Sequence, residues 1–333
     1  MLRNSLAALV SIALACACAR KPSPAAAETS QPPAQQATPT PPQPQRSDPN
    51  CAAPIEAPGS RAQIRAASGT LRIGALAGLK DAGEENVAHL RKLVAEIVRR
   101  GAEVLVADGD VGDNLDEQET LLGVLTDTGL PVVVAAGNRE VRSELDAAEN
   151  DLRKKGAKLW DLSRTRLLDA GDALIVGLPG TLDRRFLHGD GACVYVQRDI
   201  DALAGFLDRL PAKEPPVVLV MTVPPRGRDQ SALDASEGQN VGDPRIVPLL
   251  TRRRAPFGVF GQVWEAGGRA IDATGSPIVS GTASDQIYLN PGAADRTAWP
   301  MGGGARISGQ AALLTVQGRK AAVEFIRLPA EKS

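Results

Sequence analysis

Histidine is almost absent, since the 333 residues include only His89 and His188. A site that needs several neutral imidazoles as metal ligands therefore has little to draw on. An excess of one charge is missing too: 38 basic and 39 acidic residues leave a formal net charge of −1. Binding to a phosphate backbone rests on a basic excess, so nothing here points to nucleic acid as a partner. The conspicuous apolar run, Leu6 to Ala15 interrupted by Ser11, is too short to cross a bilayer as a permanent helix. Cysteine is scarce. Cys16 and Cys18 lie directly behind that run, which leaves Cys51 and Cys193 for the rest of the chain.

What is present begins with an export signal. Arg3, the apolar run and the small residues after it match the core of a secretory signal peptide. The "ALAC" ending at Cys16 resembles the lipobox of bacterial lipoproteins, with Cys18 as a competing site and an ordinary cleaved signal as the other reading. The resemblance implies acylation, and each buried methylene of an acyl chain adds roughly 0.8 kcal/mol of membrane affinity. Residues 1–18 are thus expected to be a lipoprotein signal, and residues 19–65, crowded with Pro, Ala, Gln, Ser and Thr, an extended tether that builds no core. Residues 66–330 are expected to fold. The expected location is outside the cytoplasm, lipid-anchored to a bacterial membrane, in the periplasm or at the cell surface. An oxidising compartment permits a bridge between Cys51 and Cys193, and two free thiols are the alternative.

From residue 70 onward, short apolar runs alternate with helical patterns. "LRIGALA" (71–77), "EVLVA" (103–107) and "PVVVAAG" (131–137) read as buried strands. Between the first two, Val87, Leu90, Val94, Ile97 and Val98 form an apolar stripe, with Glu84 and Glu85 at its start and Arg99, Arg100 and Gly101 at its end. Acid first, base last and glycine after the end are helix signals. His89 falls off this stripe and is expected on the solvated side. Further helices are expected near 116–127, 141–155, 199–209 and 243–251, and strands at "ALIVGL" (173–178) and "VVLVMT" (217–222). The last third, with "FGVFG", "RAIDAT", "PIVSG", "QIYLN", "AALLTVQ" and "AVEFIRL", reads as strands without a long helix. The βαβαβ opening calls for a parallel sheet covered by helices.

Functional groups in such sheets gather where the strands end. Five strand ends here carry polar or glycine-rich sequence: "AGLKD" (77–81), "DGDVGDN" (108–114), "AGNRE" (136–140), "TVPPRG" (222–227) and "GQVWE" (261–265). In this order, and with "YLNPGAAD" (288–295) behind them, the segments resemble those of the calcineurin-like metallophosphoesterases. That resemblance implies a four-layer α/β/β/α sandwich of two mixed sheets. It also implies a cleft in which two divalent metals activate water for attack on phosphorus.

Residue by residue, most ligands implied by the resemblance are missing. The first motif places Gly78 and Lys80 where aspartate and histidine belong. The second keeps Asp110, the bridging carboxylate, with Asp113 three residues on. The third keeps Asn138 but carries Arg139 in place of a histidine. Thr222 stands for the histidine of the fourth, and Gln262 and Trp264 for the two of the fifth. Neither His89 nor His188 falls in any of them. Asp110 and Asn138 are the retained metal-ligand positions, too few for two metals, and no catalytic residue is assigned.

An unpaired buried carboxylate is costly, so one or both of Lys80 and Arg139 are expected to replace the metals by pairing with Asp110. The function expected is that of a membrane-anchored, catalytically inactive member of the superfamily, a binding or structural module at the cell envelope. Its partners would be the membrane, and an anionic ligand or an envelope protein. The alternative is a phosphoesterase with a reduced metal site, and only then would Mn, Fe or Zn be its cofactor. Arg184, Arg185, Arg226 and Arg228 are candidates for a basic rim of the cleft. Met301–Arg306 reads as a loop and Arg252–Arg254 as a solvated helix end.

Overall fold

The computed structural model describes residues 51–251 and 255–328. The expected signal peptide with Cys16 and Cys18, the tether up to residue 50, and Arg252–Arg254 lie outside the described residues. Within them, no helix is long and apolar enough to cross a membrane.

Among the described residues, thirteen strands fall into two mixed sheets. They are β1 (Arg61–Gln63), β2 (Leu71–Leu76), β3 (Val104–Asp108), β4 (Val132–Ala135), β5 (Leu159–Asp161), β6 (Leu167–Asp169), β7 (Leu174–Gly177), β8 (Val217–Val220), β9 (Phe257–Val259), β10 (Arg269–Ile271), β11 (Ile287–Asn290), β12 (Gln310–Gln317) and β13 (Lys320–Arg327). One sheet runs β13-β12-β2-β3-β4-β5, and the other β1-β6-β7-β8-β9-β11-β10. Strands β2 to β5 pair in parallel, as the βαβαβ opening requires, while β12 and β13 close their sheet antiparallel. Separate two-stranded ribbons join Ala235–Ser236 to Gln239–Asn240 and Trp299–Pro300 to Arg306–Ile307.

The apolar runs explain the layering. Ile73, Val104, Val106 and Val133 of one sheet meet Ile175, Val218, Phe257 and Leu289 of the other in a core between the sheets. On the outer face of the first sheet lie α1 (Glu84–Arg99), α2 (Leu115–Thr126) and α3 (Arg142–Lys154), which bury Leu93, Ile97, Leu121, Leu145 and Leu152. On the outer face of the second lies α4 (Gln197–Arg209) with Leu203, Phe206 and Leu207. This is the expected four-layer α/β/β/α sandwich.

Several expectations are corrected. The folded part begins before residue 66, because β1 pairs in parallel with β6 and Cys51 is bridged to Cys193 with a Cα–Cα distance of 5.4 Å. His89 is buried at 4% exposure on the sheet-facing side of α1, whereas Val98, counted in the stripe, is 36% exposed. The burying face runs through Asn86, His89 or Leu90, Leu93 and Ile97, so a polar ring here belongs to the interior. Near 243–251 the helix is only Val247–Thr251, and "PIVSG" forms no strand.

Candidate functional site

The loops behind β2, β3, β4 and β8 meet at one end of the sandwich, and backbone contacts fix them together. Gly78 N–H donates to Gly109 O (3.2 Å) and Lys80 N–H to Asp110 O (2.9 Å), which ties the first motif to the second. Asp295 N–H donates to Gly78 O (3.1 Å), bringing in the segment behind β11. Gly109 has φ +77°, and a Cβ there would stand 2.6 Å from Thr222 Cγ2 and 3.4 Å from Gly137 Cα. Three loops thus close on a point where only glycine fits. Lys80 (φ +74°) and Asp110 (φ +56°) share the left-handed conformation that side chains other than glycine seldom adopt.

The "DGDVGDN" stretch divides into two roles. Asn114 caps α2 by accepting from Glu117 N–H (3.1 Å), and Glu117 accepts in turn from Asp113 N–H (2.7 Å). The second aspartate therefore stands at a helix entrance, while Asp110 turns inward and is 4% exposed. Beneath it, Asp108 at the last residue of β3 is 1% exposed, with the Gly261 backbone as the hydrogen-bonding group acting on its carboxyl. Burial, then the neighbouring Asp110 and Glu140, hold the Asp108 carboxyl well above the usual range. Glu140, fully buried, accepts from Val111 N–H and from Gly137 N–H (2.7 Å) and so staples the second motif to the third. Burial and Asp110 push Glu140 up to about 7. The sequence reading did not single out Asp108 or Glu140.

Both expected cations act on Asp110 through space, but neither forms an ion pair with it among the described residues. Arg139 grips Asp113 through Nε to Oδ1 (2.7 Å) and Nη2 to Oδ2. Lys80 is 8% exposed, and its ammonium lies 3.0 Å from the ring centroid of Trp264 and 4.9 Å from that of Trp299. The two indoles are 4.5 Å apart. Burial pulls Lys80 down to about 8, against the pull of Asp110 in the other direction. Burial likewise raises Asp110, opposed through space by Lys80, Arg139 and His188. One Asp110 oxygen, Oδ1, has no hydrogen-bond partner. The expected direct pairing is thus replaced by a through-space one, because aromatic faces and Asp113 offer the two cations closer partners.

His188 lies in none of the motifs, yet the fold brings it near Asp110. Its N–H donates to Asn138 O (3.0 Å), and Asn138 Nδ2 donates to Phe186 O (2.7 Å). Thr222 is buried and its hydroxyl donates to Gly180 O (3.0 Å). Gln262 N–H donates to Thr222 O (2.9 Å), and Gln262 lines an apolar groove with Phe186, Val223 and Val263. The expected basic rim does not assemble: Arg185 is held by Asp183 (2.6 Å), and Arg226 and Arg228 line a separate cavity beside Leu250 and Ile271.

A pair of divalent metals does not fit these residues. Of the motif positions, Asp110 and Asn138 offer oxygen ligands and none carries an imidazole, while the Lys80 ammonium, seated on Trp264, acts on Asp110 through space. Elsewhere, Asp146, Glu149 and Asp161 bring carboxylate oxygens within 4.8 Å of one another. Three arginines already neutralise them: Arg142 bridges Asp146 and Asp161, Arg164 pairs with Asp146 (2.8 Å), and Arg153 with Glu149 (3.0 Å). This is an ion-pair network.

No protein-family model and no curated protein matches the sequence. Solved structures do match the fold. The chain is similar to TT1561 of Thermus thermophilus, with a TM-score of 0.53 and 13% identity over 78% of this chain and 99% of that one. It is also similar to GAP50, described as the anchor in the inner membrane complex of Plasmodium, with a TM-score of 0.50 and 12% identity over 80% and 86% of the two chains. A dimetal phosphatase from Danio rerio aligns over 78% of this chain and 99% of its own, at a TM-score of 0.46 and 14% identity. What this chain shares with TT1561 and GAP50 is the fold, two mixed sheets between layers of helices.

Proposed function

We propose that this chain is a membrane-anchored module of metallophosphoesterase fold that performs no two-metal hydrolysis and serves as a binding or structural element at the cell envelope. The observation that carries this reading is the Lys80 ammonium, seated against Trp264 and Trp299 and acting on Asp110 from where a metal ligand would stand. An internal cation offsets the Asp110 charge, and unlike a metal it supplies no Lewis acid and no activated water. Lys80 and Arg139 both act on Asp110 through space, and the ligand class this reading favours is anionic.

Two further features support the anchored part of the reading. The Cys51–Cys193 bridge suits an oxidising compartment. The sequence before it has the order of a lipid-bearing cysteine and a tether, and GAP50, a protein of similar fold, is itself described as a membrane-complex anchor. The test joins elemental analysis with a generic aryl phosphate assay on the purified protein. The expected result is substoichiometric Mn, Fe and Zn and no turnover; near-stoichiometric metal with turnover lost in Asp110→Ala would instead establish the enzyme. Labelled palmitate is expected to be incorporated, and to be lost when Cys16 and Cys18 are both changed to serine.

A further inference from the structure

A further cavity, of about 320 Å³, lies beside the disulfide, and no residue of the degenerate motifs lines it. Its walls include Cys51, Ile55, Leu178, Pro179, Val194 and Leu203, drawn from the first described residues, the end of β7 and the start of α4. Among these apolar groups stands Arg166, 5% exposed. Its guanidinium donates through Nε and Nη2 to Gly177 O (3.3 and 2.9 Å) and through Nη1 to Ala53 O (2.6 Å). All these acceptors are neutral. Asp199 and Asp161 act on Arg166 only through space.

A guanidinium carries five N–H donors, and three are used here, so two remain. A buried cation without a contacting counter-ion is costly unless something supplies the charge. Asp199, the carboxylate in the cavity wall, is committed to Val196 N–H (2.8 Å) and lies 3.8 Å from Arg198. Its presence also disfavours a doubly charged guest. The planar fork of arginine matches a carboxylate through paired hydrogen bonds. The volume is at the small end for ligand sites, which limits the guest to a short molecule.

We propose that this cavity binds a small monocarboxylate with an apolar body, its carboxylate on the spare N–H groups of Arg166 and its hydrocarbon along Ile55, Leu178, Pro179 and Leu203. The site lies apart from the cleft and does not depend on whether the cleft is inert. Hexanoate is the probe, with hexanol as its uncharged counterpart, titrated by calorimetry into the full chain. Because Arg166 also ties Ala53 to Gly177, its replacement risks the fold. Ala202→Trp, at an exposed position of α4 on the cavity wall, narrows the space instead. Hexanoate is expected to bind and to raise the unfolding midpoint. Hexanol is expected to bind about tenfold or more weakly, and Ala202→Trp to weaken hexanoate by a similar factor while unfolding like the wild type without ligand. The proposal is overturned if hexanoate gives no heat and no shift, if hexanol binds equally well, or if Ala202→Trp binds hexanoate undiminished.

Discussion

The ammonium of Lys80 lies 3.0 Å from the centre of the Trp264 indole, though the two residues come from strand ends 184 positions apart. The contact is a cation against the negative face of a ring in a largely desolvated place, an interaction of about 2 kcal/mol at such sites. It accounts for how the Lys80 charge is held without a direct ion pair among the described residues.

Trp264→Ala is expected to destabilise the domain by about 2 kcal/mol and to raise the Lys80 pKa toward its ordinary value as water reaches the amine. Nitrogen-detected NMR of the lysine side chains reads the second effect. In the native protein Lys80 is depressed from 10.5 to about 8, so its contribution to stability is present above pH 10.5 and lost as pH falls through about 8. Lys80→Met should flatten the stability profile in that window. An unchanged profile would mean that the amine is solvated.

Asp108 and Glu140 predict the opposite dependence on the acid side. Both are raised, Glu140 from 4.5 to about 7, so the stability they contribute is present below their ordinary values and is lost as pH rises through the raised ones. Thermal midpoints should fall between about pH 5 and 8 for the wild type, and fall less for Asp108→Asn. Equal slopes in the two proteins would place the titration elsewhere.

Asp110→Asn is expected to cost less than about 1 kcal/mol, since asparagine tolerates the left-handed conformation and removes a buried charge that has an unpartnered oxygen. It should also lower the Lys80 pKa below about 8, because the carboxylate that favours the ammonium is gone. Urea denaturation and the same NMR titration measure both. A stability loss of several kcal/mol would show that the charge itself holds the loops together.

Gly109→Ala should be far worse than a surface change, by about 2 kcal/mol or more, because it strains a φ of +77° and drives a methyl into Thr222. The matching change Thr222→Ser removes the obstructing methyl. It should recover part of the loss in denaturation experiments, and no recovery would place the cost in the backbone alone.

Reduction of the Cys51–Cys193 bridge is expected to lower stability by about 2–5 kcal/mol, the usual range for a native disulfide. The sequence separation is 142 residues, so the closed loop takes in β1 to β7. Comparing unfolding with and without reductant, and with Cys51→Ser/Cys193→Ser, checks it.

The amino-acid sequence alone determined the alternation of strands and helices in the first half, the places where strands end in polar loops, and the shortage of imidazole in those loops. These depend on local periodicity and on counting residue types, which need no knowledge of neighbours. Tertiary structure decided the rest: that Lys80 finds Trp264 and Trp299, that Arg139 takes Asp113 rather than Asp110, that His188 comes to the cleft and that Cys51 meets Cys193. It also buried His89 and added β1 to a sheet edge beside β6. Each of these joins segments far apart in the chain, and a side chain chooses among distant partners by distance, burial and charge, quantities that exist only once the two sheets have packed.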